Sequence, residues 1–506
     1  MPISTEVTKT LFGLTLCLAK ETAIQAHKYI GSHSRIVGYG KYPIRDILFP
    51  KDNPKYSEFY EKIPYLKYDI PRYELKNFPE GSIQYSQIFD SLRASFGLAS
   101  DYINVTLLDG YSDLYNYINE DSYLKKLMLE DDKSTSLEYI VKSIISGIVE
   151  RYLYSINASQ HIPDDLEDKL KPFVEEKLLR YISPQLDIDI YIPVCLATFE
   201  DDIVKLTEQL EITRIPDDIQ KSRQQVCSYE KDNEDWLASC ATHMIVIHNY
   251  HYDNDKYIRL NYITRNYHAY PINIIDEVMA IIRTVTGYTI GYEQILCRPL
   301  NWIDGFYADL TPLYGAKTHF VNAKEIEKMW MQLPISVISS EQALEIIKLY
   351  SVVLSCEGDK SKGNLFFALK RFNRCMLRDE FDDMAIDAAI GLEALLSGEA
   401  KTEITYTISN RIPIVFAHER NNYFTPKNCR SIMKKIYNYR SKIVHGDKIK
   451  EKDKYLEINS MKIEIEKIAV DFLRYTLLFI LHNTKYLDAK RFDEFIDDTV
   501  SGEQFK

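Results

Sequence analysis

The sequence is short of glycine and proline, the residues that mark turns and loops, with only 18 of each in 506 residues. Long flexible tethers are therefore not expected. The length instead predicts two to four well-packed domains. Hydrophobic residues make up 45% and charged residues 27%, a balance that is typical of globular rather than disordered proteins.

The chain also lacks closely spaced cysteines and long apolar runs. Its eight cysteines are scattered and none forms a Cys-x-x-Cys pair, so reduced thiols are expected rather than a disulfide framework. No apolar run approaches the roughly 18 residues that cross a bilayer. The segment 10–19 follows Glu6 and offers no cleavage site of small residues. We therefore expect a cytoplasmic protein with no membrane partner.

An excess of positive charge is missing as well, since the net charge is -12 and the isoelectric point about 5.5. This balance argues against general coating of nucleic acid, although a local basic site remains compatible with it. No Gly-x-Ser-x-Gly, His-Glu-x-x-His or dinucleotide fingerprint occurs. Cys240, His243, His248 and His251 have a spacing that suggests zinc, but on one strand His248 points away from His243 and His251. We expect neither a metal nor another cofactor.

The N-terminal two thirds combine helix and strand patterns. Residues 136–156 have helical periodicity, and residues 4–30 fit either a helix or two short strands. Residues 187–199 alternate like a strand, and residues 243–264 predict a hairpin that turns at Asp253-Asn254-Asp255. Residues 272–285 are again helical. We interpret residues 1–330 as an α+β region that senses or restrains, with a further break near 160–185.

From about residue 335 the strand patterns fade. Helical periodicity then recurs in six segments, 341–355, 363–378, 380–397, 403–418, 427–445 and 457–484. Residues 335–506 therefore predict an all-α helical bundle.

One residue breaks the pattern of the helix at 429–445. Arg440 falls in the middle of an apolar stripe that includes Ile432, Ile436 and Ile443. A guanidinium keeps its charge at neutral pH. Burying such an ion without a partner costs on the order of several kcal/mol. Arg440 therefore needs either a partner, for which Glu393 is the candidate, or a task.

His445 lies about 140° around this helix from Arg440, so the two side chains diverge if the helix is regular. If the two residues share a site, either the last turn opens or a second copy of the chain completes the site. Helices near a two-fold axis would bring two such Arg-His pairs together.

The segment Arg-Ser-Lys-Ile-Val-His-Gly at 440–446 resembles the Arg-x4–6-His motif of HEPN domains. The elements RF, LEALL and Y…NR within 368–417, followed by YNYRSKIVHG, are similar in order to the Apea-like HEPN branch of bacterial anti-phage proteins. The resemblance covers about residues 340–485. It implies a HEPN bundle at 335–506, a homodimer and a metal-independent endoribonuclease whose catalytic residues are Arg440 and His445. Ser441 occupies a position that is often polar in the family.

The residues suit this chemistry. RNA carries its own nucleophile, the 2′-hydroxyl, so two histidines from a dimer can serve as base and acid while arginine binds the phosphate. The products would be a 2′,3′-cyclic phosphate and a 5′-hydroxyl. Tyr437, Tyr439 and Tyr455 lie nearby, where they are candidates to stack on bases.

Positive charge is concentrated around the motif. Residues 427–454 contain ten Lys or Arg against three acids, and residues 360–378 contain six against none. A basic site on an acidic chain favours selective RNA binding, although charge runs are often only solvated. The candidate RNA-binding residues are Lys434, Lys435, Lys442, Arg371 and Arg374.

The resemblance implies a role in anti-phage defence by abortive infection, in which the nuclease acts as a toxin. RNA, and tRNA in particular, is the expected substrate, and a phage-derived trigger is the expected activator. The alternative is a non-catalytic module for dimerisation or RNA binding, in which Arg440 belongs to a structural ion pair. A metal-dependent nuclease, inactivated by EDTA, is a third interpretation.

Overall fold

The computed structural model describes residues 5–32, 41–47, 71–77, 84–89, 102–129, 135–227, 241–254, 264–305, 309–321, 336–359, 362–398, 404–419, 423–458 and 460–501. The helices of these ranges are α1 Thr5–Ser32, α2 Asp109–Glu120, α3 Ser122–Leu129, α4 Leu137–Ser155, α5 Leu166–Ile182, α6 Asp217–Cys227, α7 Ile272–Thr286, α8 Ser340–Cys356, α9 Gly363–Leu377, α10 Phe381–Leu396, α11 Ile404–His418, α12 Pro426–His445, α13 Ile465–His482 and α14 Ala489–Ser501. No described helix is long and apolar enough to cross a bilayer.

The strands of the same ranges are β1 Lys41–Ile47, β2 Pro71–Asn77, β3 Gln185–Pro193, β4 Ala197–Phe199, β5 Ile203–Lys205, β6 Leu210–Arg214, β7 His243–Asp253, β8 Tyr292–Pro299, β9 Tyr314–Phe320, β10 Ser336–Ile338, β11 Tyr455–Ile458 and β12 Met461–Glu464. Six of them form an antiparallel sheet in the order β5-β6-β7-β3-β8-β9. The remaining strands pair as β1 with β2, β4 with β10 and β11 with β12.

The first part of the chain is a helical layer with its own core. Buried apolar residues from Leu11 to Tyr181 pack together, and they come mainly from α1 to α5. The predicted helix at 136–156 is confirmed as α4, whose N-terminus is capped by the Ser136 hydroxyl accepting from the Tyr139 amide. Of the two alternatives for 4–30, the helix is correct.

The six-stranded sheet lies in the middle of the chain. Its central strand β3 alternates Leu186, Ile188, Ile190 and Ile192 into one face, so these residues join the core of the C-terminal helices. The predicted strand at 187–199 is confirmed as β3 and β4. The first strand of the predicted hairpin is confirmed as β7, whereas the second strand, at 255–263, lies outside the described residues.

Helix α7 joins the sheet to the C-terminal helices. Arg283 of α7 is buried, donates to the Ile290 carbonyl and places Nη1 2.6 Å from Asn373 Oδ1 of α9. The Arg474 guanidinium of α13 donates to the last carbonyls of α7 at Thr284 and Val285. One buried core consequently runs from Leu186 to Phe495, across the boundary near 330, while the core of the first part ends near the predicted break at 160–185.

The C-terminal region is helical in the places that the sequence predicts, with one correction. Residues 457–464 were expected to begin the last long helix, but residues 455–458 pair with residues 461–464 as the antiparallel strands β11 and β12. Leu456 and Ile458 alternate into the core, and Ser460, just before β12, takes a positive φ of 66°, which is typical of hairpin turns. The region is therefore not all-α, and helix α13 begins only at Ile465.

Candidate functional site

Helix α12 carries both residues of the candidate site and is held at both ends. The Thr425 hydroxyl accepts from the Asn428 amide while the Asn428 side chain accepts from the Thr425 amide, which forms a capping box. Gly446 closes the C-terminus with a φ of 70°. Helix α12 packs against α10, α11 and α13, and it contains no acidic residue.

Arg440 is half-buried on the side of α12 that faces the bundle. Its Nε atom is buried and has no hydrogen-bond partner. Across the described part of the chain, Arg440 forms no ion pair, with Glu393 or with another acid. A buried donor without a partner costs about 1–3 kcal/mol. No partner among the described residues offsets the free energy that burial of this guanidinium nitrogen costs.

Glu393 and Tyr437 lie beside Arg440. Burial raises the pKa of the Tyr437 hydroxyl, the nearby Glu393 carboxylate raises that pKa further, and the Arg440 guanidinium acts in the opposite direction. The hydroxyl is close to Glu393 yet has no hydrogen bond of normal geometry. Glu393 is therefore a neighbour of the site rather than the ion-pair partner of Arg440. Sequence periodicity placed Tyr437 in the core but did not reveal its place in this cluster.

His445 is exposed and is the last residue of α12. The helix remains regular up to this residue, and the left-handed residue comes only at Gly446. The last turn therefore does not open, and His445 and Arg440 of one chain diverge by about 140°. Of the two ways in which these residues can share a site, only completion by a second copy fits this geometry. Ser441 is exposed between them.

The predicted RNA-binding lysines of α12 differ in their surroundings. Lys434 and Lys435 are exposed, and within the described ranges neither forms an ion pair. The Lys442 ammonium lies 2.8 Å from Asp453 Oδ2, in the short helical turn before β11, and its cation holds the pKa of the Asp453 carboxyl below its usual range. Lys442 thus binds the segment before the hairpin to α12.

The two arginines of α9 lie away from α12. Arg371 Nη1 is 2.6 Å from Oδ1 of the buried Asp387 of α10, and Arg378 Nε is 3.2 Å from Oδ2 of the same carboxylate. Arg374 is exposed and lies towards α7, where it opposes the burial that raises the pKa of Asp276. The structure therefore does not bring Arg371 and Arg374 next to Arg440.

Two of the three tyrosines that were candidates for base stacking are buried. Tyr437 belongs to the cluster around Arg440, and the Tyr439 hydroxyl donates to Asp382 Oδ1 at 2.9 Å. Tyr455 is half-buried, and the Lys462 ammonium lies 3.9 Å from its ring centre. The ring faces of Tyr437 and Tyr439 are thus used in packing.

The three histidines with zinc-like spacing differ in their surroundings. His243 is buried, whereas His251 is exposed and its Nδ1 is 2.9 Å from Asp187 Oδ1. His248 lies 3.4 Å from both Asp189 and Glu211, and Cys240 lies outside the described residues. No cluster of three or more His, Cys, Asp or Glu suited to a metal occurs among the described residues.

No protein-family model, no curated protein and no solved structure matches this chain. The interpretation of the site therefore depends on the geometry of α12 and on the motif within it.

Proposed function

We propose that this protein is a metal-independent endoribonuclease of the HEPN type, whose active site is completed by two copies of the chain. Arg440 and His445 are the catalytic residues, and Ser441 and Glu393 support them. The observation that carries the proposal is the Arg440 guanidinium, which is half-buried with an Nε that lacks a hydrogen-bond partner. A phosphate oxygen is the acceptor that such a planar cation fits best.

The reaction follows from the two side chains. One His445 takes the proton of the 2′-hydroxyl, whose oxygen attacks the adjacent phosphorus. The His445 of the second copy gives a proton to the departing 5′-oxygen, so the P–O5′ bond breaks as the P–O2′ bond forms. Arg440 stabilises the negative charge that develops on the non-bridging oxygens. The products are a 2′,3′-cyclic phosphate and a 5′-hydroxyl.

An exposed apolar residue lies beside the site. Val444 is 52% exposed, one turn after Arg440 on the same side of α12. A two-fold contact at Val444 would bury this surface and bring the C-terminal ends of the two α12 helices together. Each Arg440 would then lie next to the His445 of the other copy, which would bring together two side chains that diverge within one chain.

The motif, together with the resemblance to anti-phage proteins, supports abortive infection as the setting. The enzyme would act in the cytoplasm on RNA, with tRNA as the proposed target, and would shut down translation. An unrestrained ribonuclease harms its own cell, so we propose that the region N-terminal to α8 restrains it until a phage-derived trigger binds. Helix α7 is the connecting element, because Arg283 and Arg474 join it to α9 and α13.

The test is cleavage of RNA by the purified full chain in EDTA, with mapping of the cleaved ends. The wild type should give cyclic phosphate and 5′-hydroxyl ends, and Arg440→Ala and His445→Ala should each lose cleavage while remaining folded. Full activity of His445→Ala would overturn the assignment of the site. Loss of wild-type activity in EDTA would instead indicate a metal-dependent nuclease.

A further inference from the structure

The exposed side of α12 carries a row of side chains that leads to His445. At 100° per residue, Lys427, Arg430, Lys434, Asn438, Ser441 and His445 fall within one arc of about 80°. All six residues are exposed. The row spans the 18 steps from Lys427 to His445, about 27 Å at 1.5 Å per residue.

The three cations of this row have no counter-charge in the part of the chain that the structure describes. Lys427, Arg430 and Lys434 form no ion pair there, and α12 has no acidic residue. In contrast, the nearby Lys442 is bound to Asp453. Unpaired cations that recur on one side of a helix attract a polyanion, because condensed counterions are released when phosphates replace them.

We infer that this row, Lys427 to His445, guides a single strand of RNA to the scissile phosphate, so that the substrate is an unpaired segment several nucleotides long. The inference rests on the proposed function for the identity of its ligand. Lys427, Arg430 and Lys434 are positioning residues that bind phosphates away from the cleaved bond, and Asn438 and Ser441 offer hydrogen bonds nearer to His445.

The shape of the row favours one strand over a duplex. Proteins bind double-stranded RNA across its minor groove and contact the backbones of both strands. The row is one arc of one helix, and the next exposed lysine, Lys435, lies about 100° around α12 from Lys434. An unpaired segment also leaves the 2′-hydroxyl free to line up opposite the 5′-oxygen, as the displacement at phosphorus requires.

The row does not suit a contact between two copies of the chain. A two-fold contact would place the same patch against itself, so Lys427, Arg430 and Lys434 would meet cations with no acid on α12 to offset them. The exposed Val444, which lies off this row towards Arg440, is better suited to that contact.

The test is binding of an RNA that carries 2′-O-methyl groups, which block the nucleophile, to the full chain over a range of salt concentrations. The variant replaces Lys427, Arg430 and Lys434 together by glutamine. Three lost phosphate contacts should reduce the slope of log K against log salt by about 2, since each contact on a single strand contributes about 0.7. Lys490→Gln, at an exposed lysine of α14 outside the row, is the control and should change the slope by less than about 0.5.

Strand length and pairing give the second measurement. A single strand of about 12 nucleotides should bind the wild type more tightly than one of about 3 nucleotides, and the triple variant should lose most of this difference. An equal salt slope in wild type and triple variant, or tighter binding of a blunt duplex than of the single strand, overturns the inference. If the wild type cleaves RNA but the triple variant has the same salt slope, the proposed function stands and the role of the row is wrong. If the triple variant shows the expected change in slope but the wild type does not cleave RNA, the row binds RNA and the proposed function is wrong. If the wild type does not bind RNA, both proposals fail.

Discussion

The Tyr439 hydroxyl donates to Asp382 Oδ1 at 2.9 Å and so connects the helix of Arg440 to the first turn of α10. Burial raises the pKa of this hydroxyl, and the hydrogen bond to Asp382 raises it further, so Tyr439 is neutral and remains the donor at physiological pH. Together with the ion pair of Lys442 and Asp453, this bond holds the part of α12 that carries the motif.

Replacing Tyr439 by phenylalanine should lower the free energy of unfolding by about 1–2 kcal/mol, since a part-buried hydrogen bond to a carboxylate is lost. Tyr437→Phe is the matched control, because the Tyr437 hydroxyl is buried without a hydrogen bond of normal geometry. Its removal should leave stability unchanged or raise it by up to about 1–3 kcal/mol, because a buried donor without a partner is removed. Urea unfolding of the two variants measures the difference, and equal destabilisation would contradict the role given to the Asp382 bond.

Arg371→Ala should act on stability more than on RNA binding. Its guanidinium lies 2.6 Å from the buried Asp387 carboxylate, and removing it leaves Arg378 as the remaining partner of that carboxylate. We expect a loss of about 2 kcal/mol in the free energy of unfolding. Arg374→Ala, an exposed neighbour on the same helix, should change it by less than about 0.5 kcal/mol. Thermal unfolding and RNA affinity of both variants test this; weaker RNA binding by Arg371→Ala at unchanged stability would contradict it.

Val444→Lys should disrupt the dimer. The substitution places a charge on the exposed apolar position beside Arg440 and sets it against its own copy across a two-fold axis. We expect a shift to monomers in sedimentation and loss of RNA cleavage. The positive charge of the new lysine favours RNA binding. Weaker binding of RNA would therefore not explain the loss of cleavage. Val444→Ala is the control and should remain dimeric, whereas an active monomeric Val444→Lys would contradict the shared site.

His482 makes stability depend on pH. Its Nδ1 lies 2.9 Å from Glu419 Oε1 and its Nε2 2.7 Å from Glu345 Oε1, so one imidazolium connects α13 to α8 and to the end of α11. The hydrogen bond to Glu419 is the main cause that raises the pKa of His482. The pKa of His482 is higher in the folded protein than in the unfolded chain, where it is near 6.5. The contribution of His482 to the free energy of unfolding is therefore fully present below about pH 6.5 and is lost as the pH rises through the pKa of the folded protein.

The measurement is urea unfolding of the wild type and His482→Gln at pH 6 and at pH 9. At pH 6 the free energy of unfolding of the wild type should exceed that of His482→Gln by under about 1 kcal/mol. The difference is small because the ion pairs of His482 are partly exposed and screened by solvent. The two proteins should differ less at pH 9. A difference that is equal at both pH values, or larger at pH 9, would show that the imidazolium does not stabilise the fold.

Periodicity predicted the helices well because their apolar residues recur every three or four positions along α8 to α12. It failed at β11 and β12, where Leu456, Ile458 and Ile463 fit a helix as well as two short paired strands. Glu393 and Arg440 both act on the Tyr437 hydroxyl. No local pattern could show that the two residues do not pair, because that depends on how α10 packs against α12.

The same limit applied to the basic residues. Charge counting gave Lys434, Lys442 and Arg371 equal weight as RNA-binding candidates. In the structure Lys442 and Arg371 are bound to Asp453 and Asp387, and only Lys434 of these three is exposed and unpaired within the described ranges. Such ion pairs join elements that are separate in sequence, so composition alone does not reveal which cations are already neutralised.

The most direct test of the central claim is the RNA cleavage rate of mixed dimers, measured after subunit exchange between wild type and His445→Ala at constant total protein. If one site needs His445 from both copies, mixed dimers are inactive and the rate follows the square of the wild-type fraction. An equal mixture then keeps about one quarter of the activity, whereas independent sites in each chain keep about one half. A rate proportional to the square of the wild-type fraction supports the shared site, and a rate proportional to the wild-type fraction itself contradicts it.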